Sequence, residues 1–404
     1  MSVNFHDPKA THQKPPQPEF SLFNLGFRPF FLLAAIFAVL NMGLWGLIYP
    51  GIIAFDHGQL TPFQWHGHEM IFGYATAVIA GFLLTSVKTW TGQQTAAGKQ
   101  LGLIVVFWLI ARLLFAIGGD ALLVGALFNV AFLLTFVVNI GEKIVRVRQW
   151  RQAGIMAVVS LLALGELGFV IGLVQQNQWL VSKSLYAAFY LVIMLILIMG
   201  RRVVPFFMER GVGYPLTLRQ SGFLDRAVIG GFIAYAICSL ANADFQLIAA
   251  LAAWVFVCQT LRLINWYTGG MWKKPLLWSL YVALLVIDLG FLMAALTPWM
   301  PISSYLILHA FAVGGIAFIT LSMMSRVALG HTGRSIHEVP VLVRVSLVLM
   351  TIAIVARVIL PLFWPANYDL WIGIAQVAWI AAFALFIVVY VPILTKPRID
   401  SQPG

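Results

Sequence analysis

The sequence predicts an all-α fold, a polytopic transmembrane helical bundle of about twelve spans. First, the 404-residue chain is 61% hydrophobic and only 10% charged, whereas an average soluble domain has about 25% charged residues. Second, apolar runs of roughly 18 residues or more, the length that crosses about 30 Å of hydrocarbon, recur along the chain. Third, basic residues concentrate in alternate connections between those runs. A soluble fold of this length has too little interior to bury so much apolar surface.

Glycine, proline and charged residues divide the chain into the predicted spans. The spans lie near 29–49, 65–87, 101–118, 121–141, 153–174, 182–200, 222–242, 245–262, 276–297, 303–329, 339–363 and 371–394. We expect residues 1–28 to form a polar cytoplasmic tail without a cleaved signal peptide, 29–394 a single transmembrane domain, and 395–404 a second cytoplasmic tail. The two cysteines, Cys238 and Cys258, fit buried apolar positions better than a thiolate metal site or a disulfide framework.

The formal net charge of +11 is distributed according to loop position. Loops on one side of the predicted bundle carry nearly all the cations, whereas the opposite loops contain Lys183 and essentially no other cation. Under the positive-inside rule, this asymmetry predicts that both termini are cytoplasmic. The basic excess therefore reflects topology in a lipid bilayer. No nucleic-acid-binding module is present, so a nucleic-acid partner is not expected.

Two histidines and a glutamate lie within four positions at the outer end of the second span, in "QWHGHEM". These residues are His66, His68 and Glu69. His309 lies roughly 9 Å below the outer end of the tenth span, which is about the same depth. An ionisable group is costly in hydrocarbon, so three imidazoles at one level predict ligands for haem or copper, which neutral imidazole commonly binds.

Helical phase leaves several roles open for these histidines. At about 100° per residue, His66 and His68 point about 200° apart, so they share a metal only if the first turn is irregular. A single intramembrane histidine can also serve as an interhelical hydrogen-bonding group. His331 lies about 33 Å along the axis from His309, so it predicts a separate inner-side metal site or an anchor. Met324 is a weaker candidate copper ligand that fits packing better. A zinc site is disfavoured because no H-E-x-x-H or cysteine cluster occurs.

Four charged residues, Arg112, Glu166, Asp288 and Arg357, fall near the middles of predicted spans. One interpretation is ion pairing inside the bundle. The other is a proton route in which Glu166 and Asp288 relay protons. Glu69 is the best candidate for proton delivery or for orienting a ligand imidazole, because it follows the two histidines directly.

Arginine also lies beside proline and aromatic residues at the inner surface, in "FRPFF" and "RRVVPFF". In one interpretation, Arg28 and Arg202 are helix-end or lipid-headgroup contacts. In the other, they pair with carboxylates of a cofactor.

Five blocks resemble the NnrS family over essentially the whole chain. The blocks are "GFRPFFLLAA", "WHGHEMIFGY", "AGFLLTSVKTWTG", "GRRVVPFF" and "HAFAVGGIAFITLSMMSRVALGHTGR". The resemblance implies a multi-pass protein of the bacterial inner membrane that contains haem, for which we expect the b type, and copper. It also implies an association with nitric oxide, nitrosative stress and denitrification. The blocks direct attention to His66, His68, Glu69, His309 and His331.

The leading hypothesis is a haem- and copper-containing protein that binds nitric oxide and reductively detoxifies it. Such an oxidoreductase, of the nitric oxide reductase type, would need an unidentified electron donor. A transporter of a metal, haem or nitrosyl-iron species is the first alternative, although the two halves of the chain show no convincing repeat. A haem-based nitric oxide sensor is the second, and it would need a signalling partner. Turnover and homo-oligomerisation are left open by the sequence.

Overall fold

A computed structural model describes residues 20–400 and 402. Within these residues, twelve helices are long and apolar enough to cross a membrane, and no strand forms. They are α1 (Phe27–Ile48), α2 (Pro62–Thr91), α3 (Gly98–Ile117), α4 (Ala121–Arg146), α5 (Trp150–Val174), α6 (Gln178–Gly211), α7 (Gly222–Leu240), α8 (Phe245–Asn265), α9 (Pro275–Leu296), α10 (Ser304–His331), α11 (Val341–Phe363) and α12 (Pro365–Thr395). The predicted polytopic helical bundle is confirmed. Most of the predicted N-terminal tail, residues 1–19, lies outside the described residues.

Several helices are longer than predicted, and α6 differs most. It continues past residue 200, through Pro205, and ends at Gly211 after 34 residues. At 1.5 Å per residue this helix is about 51 Å long, so its last turns extend beyond a hydrocarbon core of about 30 Å. Hydropathy locates only the part of a helix inside the bilayer, which explains why the polar last turns were missed.

The twelve helices are not equally buried. In α2, 83% of the most apolar window is buried inside the bundle, and in α9 and α10 the values are 72% and 67%. In α7 the value is 17%, so most of that helix is available to lipid. The two helices that carry the predicted metal ligands, α2 and α10, are therefore central ones.

Three helices contain a π-helical segment that the sequence did not predict. The segments are Glu69–Ala75 in α2, Ala310–Ala317 in α10 and Val355–Ile359 in α11. The first begins directly after His68, the second directly after His309, and the third contains Arg357. π-Helical turns are rare and frequently occur at functional sites, because they re-aim side chains relative to a regular helix.

Consecutive helices alternate in direction, so all even-numbered helices finish at the same end of the bundle. We call this the basic end, because nearly all the exposed lysines and arginines lie there. We call the opposite end the distal end. Among its described loops and helix ends, Lys183 is the one lysine or arginine that is exposed or partly exposed. The positive-inside rule predicts that the basic end faces the cytoplasm.

Candidate metal and proton sites

Histidines of α2 and α10 meet near the distal end. The imidazole of His66 stacks on the indole of Trp45 in α1, with 4.3 Å between ring centroids and 14° between planes. Arg357 of α11 places Nη2 3.2 and 3.3 Å from the two ring nitrogens of His309. His66 lies within electrostatic range of Arg357 and of His309. We call His66, His309 and Arg357 the distal cluster.

Hydrogen bonding determines the tautomer of His309. Its Nδ1 lies 2.6 Å from the backbone oxygen of Tyr305, one helical turn earlier. A carbonyl oxygen can only accept, so Nδ1 carries the proton and Nε2 holds the lone pair. Metal-ligating histidines are usually oriented in this way, with the second ring nitrogen donating to a carbonyl or carboxylate. The nitrogen left for a metal is therefore Nε2, where the Arg357 guanidinium now lies.

The distal cluster fits a metal held by imidazoles. Nδ1 of His66 is buried and has no hydrogen-bond partner within the described residues, which is unfavourable unless something else binds it. Both imidazoles are partly exposed, so a further ligand can reach them. Two neutral imidazoles from separate helices suit haem iron or copper. In the described part of the chain, no group of three or more His, Cys, Asp or Glu side chains could hold an ion. A metal here would therefore depend on the imidazole pair and on ligands from outside the chain.

His68 lies in a second cluster, inside the bundle. Its Nδ1 is 3.0 Å from Glu69 Oε1, and its Nε2 is 3.1 Å from Glu166 Oε1 on α5. Arg112 of α3 donates from Nη1 to Glu69 and from Nη2 to Asn129 Oδ1, the latter at 2.9 Å. Each of these five residues is at most 5% exposed. We call them the carboxylate cluster.

Aromatic rings enclose the carboxylate cluster. The His68 imidazole stacks on Phe115 with 4.0 Å between centroids and 5° between planes, and Phe169 lies 4.5 Å away. The Arg112 guanidinium lies over the same Phe115 ring, 5.2 Å from its centroid. Such surroundings strengthen ionic hydrogen bonds and make a net buried charge costly. The carboxylate cluster should therefore be close to neutral overall.

Neutrality leaves one transferable proton in the carboxylate cluster. Arg112 is charged, and its hydrogen bond to Glu69 requires an ionised carboxylate for balance. The remaining pair, His68 and Glu166, is neutral either as imidazole with a protonated carboxyl or as imidazolium with a carboxylate. These two states differ by one proton transfer across the 3.1 Å between Nε2 and Oε1. The geometry can thus hold a proton and move it between α2 and α5.

The structure separates His68 from the other two predicted metal ligands. Residues Pro62–His68 are regular α-helix, and the π segment begins only at Glu69. His66 and His68 therefore point to opposite sides of α2, as regular helical phase requires. Of the three imidazoles grouped by depth, His68 is the one whose ring nitrogens both have carboxylate partners.

Two other predicted residues lie apart from both clusters. Asp288 on α9 accepts a hydrogen bond from Thr260 at 2.5 Å and interacts electrostatically with Arg262, so its partners lie on α8. Met324 is fully buried on α10, about 22 Å along the helix axis from His309. Its position is that of a packing residue.

The remaining predicted residues lie at the basic end. Arg202 donates to Gln152 Oε1 at 2.6 Å and to the Arg151 carbonyl at 2.8 Å, which joins α6 to the start of α5. Arg28 donates from Nη1 to two carbonyls at the end of α12. His331 ends α10, with its ring 5.6 Å from that of a phenylalanine in α1. For Arg202, the protein contacts favour the helix-end interpretation.

Residues that complete the clusters were not identified from sequence. Trp45 and Tyr305 position the two distal imidazoles, and Phe115 and Phe169 enclose His68. All four are ordinary apolar or aromatic positions in a sequence where 14% of residues are aromatic. No local pattern distinguishes them, because their roles arise from contacts between helices.

The twelve-helix fold and the two clusters define a polytopic membrane protein with a candidate imidazole metal site and a buried acid–base network. The sequence model of one family, described as NnrS protein, matches residues 21–398, nearly the whole chain. The chain belongs to the NnrS family, which confirms the resemblance of its sequence blocks, and this membership suggests a role related to nitric oxide. No curated protein matches the chain significantly.

Proposed function

We propose that this protein binds nitric oxide at a haem- and copper-containing site in the bacterial inner membrane and reduces it, which would detoxify the gas. The observation that carries the proposal is the distal cluster, where imidazoles from α2 and α10 lie together: Nδ1 of His66 has no partner among the described residues, and Nε2 of His309 faces only the Arg357 side chain. Family membership supports the link to nitric oxide. The apolar helices support a site inside a bilayer, where an apolar gas is concentrated.

In this proposal, His66 would hold the metal through Nδ1, and His309 would hold it through Nε2 once the Arg357 guanidinium moves aside. Bound haem iron or copper would supply a redox centre with a position for a small ligand. Arg357, which contacts the His309 ring and lies within electrostatic range of His66, places a fixed positive charge at the site and would favour negative charge that develops on a bound oxide. The Tyr305 carbonyl keeps the His309 ring oriented.

The carboxylate cluster would supply protons. Converting two molecules of nitric oxide into nitrous oxide and water consumes two electrons and two protons, and the electrons require an external donor. His68 and Glu166 share one transferable proton in the neutral cluster. Glu69 hydrogen-bonds with His68 and lies three residues after His66 on α2, so in this proposal it would pass protons from the His68–Glu166 pair towards the distal cluster. Asp288 would serve only as a separate relay on the side of α8.

Nitric oxide consumption by purified, reconstituted protein tests the proposal. With an artificial electron donor, the wild type is expected to consume nitric oxide at an electrode. Glu166→Gln keeps a hydrogen-bonding group beside His68 but removes the acid, so the rate should fall by roughly 10²–10⁴-fold while the metal spectrum is unchanged. Glu142→Gln, at an exposed position of the basic end, is the matched control. A wild type that neither consumes nitric oxide nor shows a spectral change with it contradicts the proposal.

Transport of a metal, haem or nitrosyl-iron species is a second candidate function, favoured by buried polar groups on α8 and α9. Both side-chain polar atoms of Gln259, and Oδ1 of Asp288, are buried without a hydrogen-bond partner among the described residues. Such groups in a bundle can line a path for polar cargo. Metal content decides between the two functions: stoichiometric metal retained through purification supports redox chemistry, whereas a site filled only when cargo is added supports transport.

A further inference from the structure

A cavity of about 270 Å³ opens at the basic end, far from both clusters. The start of α1, the end of α2, the end of α10 and the segment after α12 meet around it. Its lining includes the two threonines Thr85 and Thr89 and the basic side chains of Lys88, His331 and Arg398. The cavity is thus lined by hydrogen-bonding and basic groups at the level where a bilayer would meet water.

The charge around this cavity is strongly unbalanced. His331 lies within electrostatic range of Arg398, Lys88 and Arg28, and Arg28 lies within range of Arg334 as well. One carboxylate offsets these cations within the described residues, that of Asp400, and it is already bound by Arg398 through two hydrogen bonds of 2.5 and 2.9 Å. Four permanently cationic side chains therefore share one carboxylate.

Arg28 is outside the cavity lining but within electrostatic range of two lining residues, His331 and Arg398, and it has unused hydrogen-bond donors. The residue is fully buried. Its Nη1 donates to the carbonyls of Leu394 and Lys396 at 2.9 and 2.7 Å. Its Nε and Nη2 are also buried but have no hydrogen-bond partner within the described residues. A buried guanidinium with two unused donors is costly, and an acceptor with negative charge would relieve the cost.

We propose that the basic-end cavity binds a phosphate group. A tetrahedral oxyanion has several acceptor oxygens, so it can bind the Lys88 ammonium as a point charge and accept from the unused donors of the nearby Arg28. A volume of about 270 Å³ accommodates a phosphate with its remaining water. The phosphate can belong to an anionic phospholipid headgroup or to a soluble phosphate compound, since the cavity lies at the bundle end predicted to face the cytoplasmic leaflet.

Inorganic phosphate added to the full-length protein in detergent tests the site. Its dissociation constant is obtained from the rise in melting temperature at fixed ionic strength, with chloride as the reference salt. Lys88→Gln should weaken phosphate binding by about tenfold, because one charge-assisted hydrogen bond is lost. Lys273→Gln, an exposed lysine at the same end but outside the cavity, should change nothing. If Lys88→Gln does not fold, Arg334→Gln replaces it; Arg334 is outside the lining but within electrostatic range of Arg28, so the expected loss is only a few-fold.

Native mass spectrometry distinguishes the two sources of phosphate. If the source is lipid, wild-type protein from nanodiscs of phosphatidylglycerol retains bound lipid that excess inorganic phosphate displaces, and Lys88→Gln retains less. If the source is soluble, phosphate binds but no lipid is retained. The proposal is overturned if neither phosphate nor phosphatidylglycerol binds the wild type more tightly than Lys88→Gln and Arg334→Gln.

Discussion

His66 and His68 lie two residues apart on α2, yet their side chains enter opposite environments. His66 stacks on one indole, remains partly exposed and keeps a buried nitrogen without a partner among the described residues. His68 is fully enclosed by aromatic rings, and carboxylates engage both of its nitrogens. The same residue type thus contributes to an accessible site on one side of the helix and to a closed ionic network on the other.

The difference arises from what the neighbouring helices present to α2. On one side, α10 and α11 contribute a second imidazole and a guanidinium; Nε2 of His309 faces that guanidinium, and Nδ1 of His66 has no partner among the described residues. On the other side, α3 and α5 contribute a guanidinium and a carboxylate that complete a neutral network. Substitutions on the side of the carboxylate cluster should therefore mainly reduce stability, and substitutions in the distal cluster should mainly reduce ligand binding.

Arg112→Met should give the largest loss of stability. It leaves the Glu69 carboxylate buried without its cation, which typically reduces the free energy of unfolding by about 3–5 kcal/mol. Arg357→Met is the matched control, because this arginine contacts an imidazole and has no carboxylate partner among the described residues. Thermal unfolding in detergent measures both, and equal losses would contradict the comparison.

His68→Ala should come next, with a loss of about 2–4 kcal/mol. The substitution opens a cavity between Phe115 and Phe169 and leaves Glu69 and Glu166 facing it. His66→Ala removes a partly exposed ring and should reduce stability less in the metal-free protein. Unfolding of chelator-treated samples compares the two, and a larger loss in His66→Ala would mean that the two environments are misassigned.

Two glycines on the same helix sharpen the comparison. A Cβ added at Gly73 would come within 2.7 Å of Arg112 Nη1 and 2.6 Å of Phe37 Cε1, so Gly73→Ala should destabilise the protein by about 1–3 kcal/mol. A Cβ at Gly67, between the two histidines, would meet nothing within 4 Å. Gly67→Ala should therefore be neutral or stabilise the helix by up to about 1 kcal/mol. The melting temperature of Gly73→Ala should fall, whereas that of Gly67→Ala should stay the same or rise. A decrease in both variants would be inconsistent with these packing distances.

Trp45→Phe should have the smallest effect on stability. It keeps an aromatic ring near His66 but loses the larger stacked indole, at a cost of about 0.5–1.5 kcal/mol. If the stacked indole positions the His66 ring, metal affinity should fall more clearly than melting temperature. Metal titration of the chelated variant measures this, and unchanged affinity would show that the indole has no positioning role.

Much of the fold was predictable from the sequence, because span number depends on hydropathy summed over whole segments. The opposed directions of His66 and His68 were also predictable, since helical phase is local geometry. The π segments were not, because they depend on how neighbouring helices fit together. The contact between Arg357 and His309 was missed for the same reason: it requires the relative rotation of α10 and α11, which no local pattern records. The pairing of Glu166 with His68 required knowing that α5 packs beside α2.

Metal retention in three single variants tests the central claim most directly. His66→Ala, His309→Ala and His68→Ala would be purified in parallel, and haem and copper measured by absorbance and elemental analysis. We predict that His66→Ala and His309→Ala lose bound metal but still elute as folded protein. We predict that the folded fraction of His68→Ala keeps its metal. Full metal content in both distal variants, with loss confined to His68→Ala, would contradict the assignment of the distal cluster as the metal site.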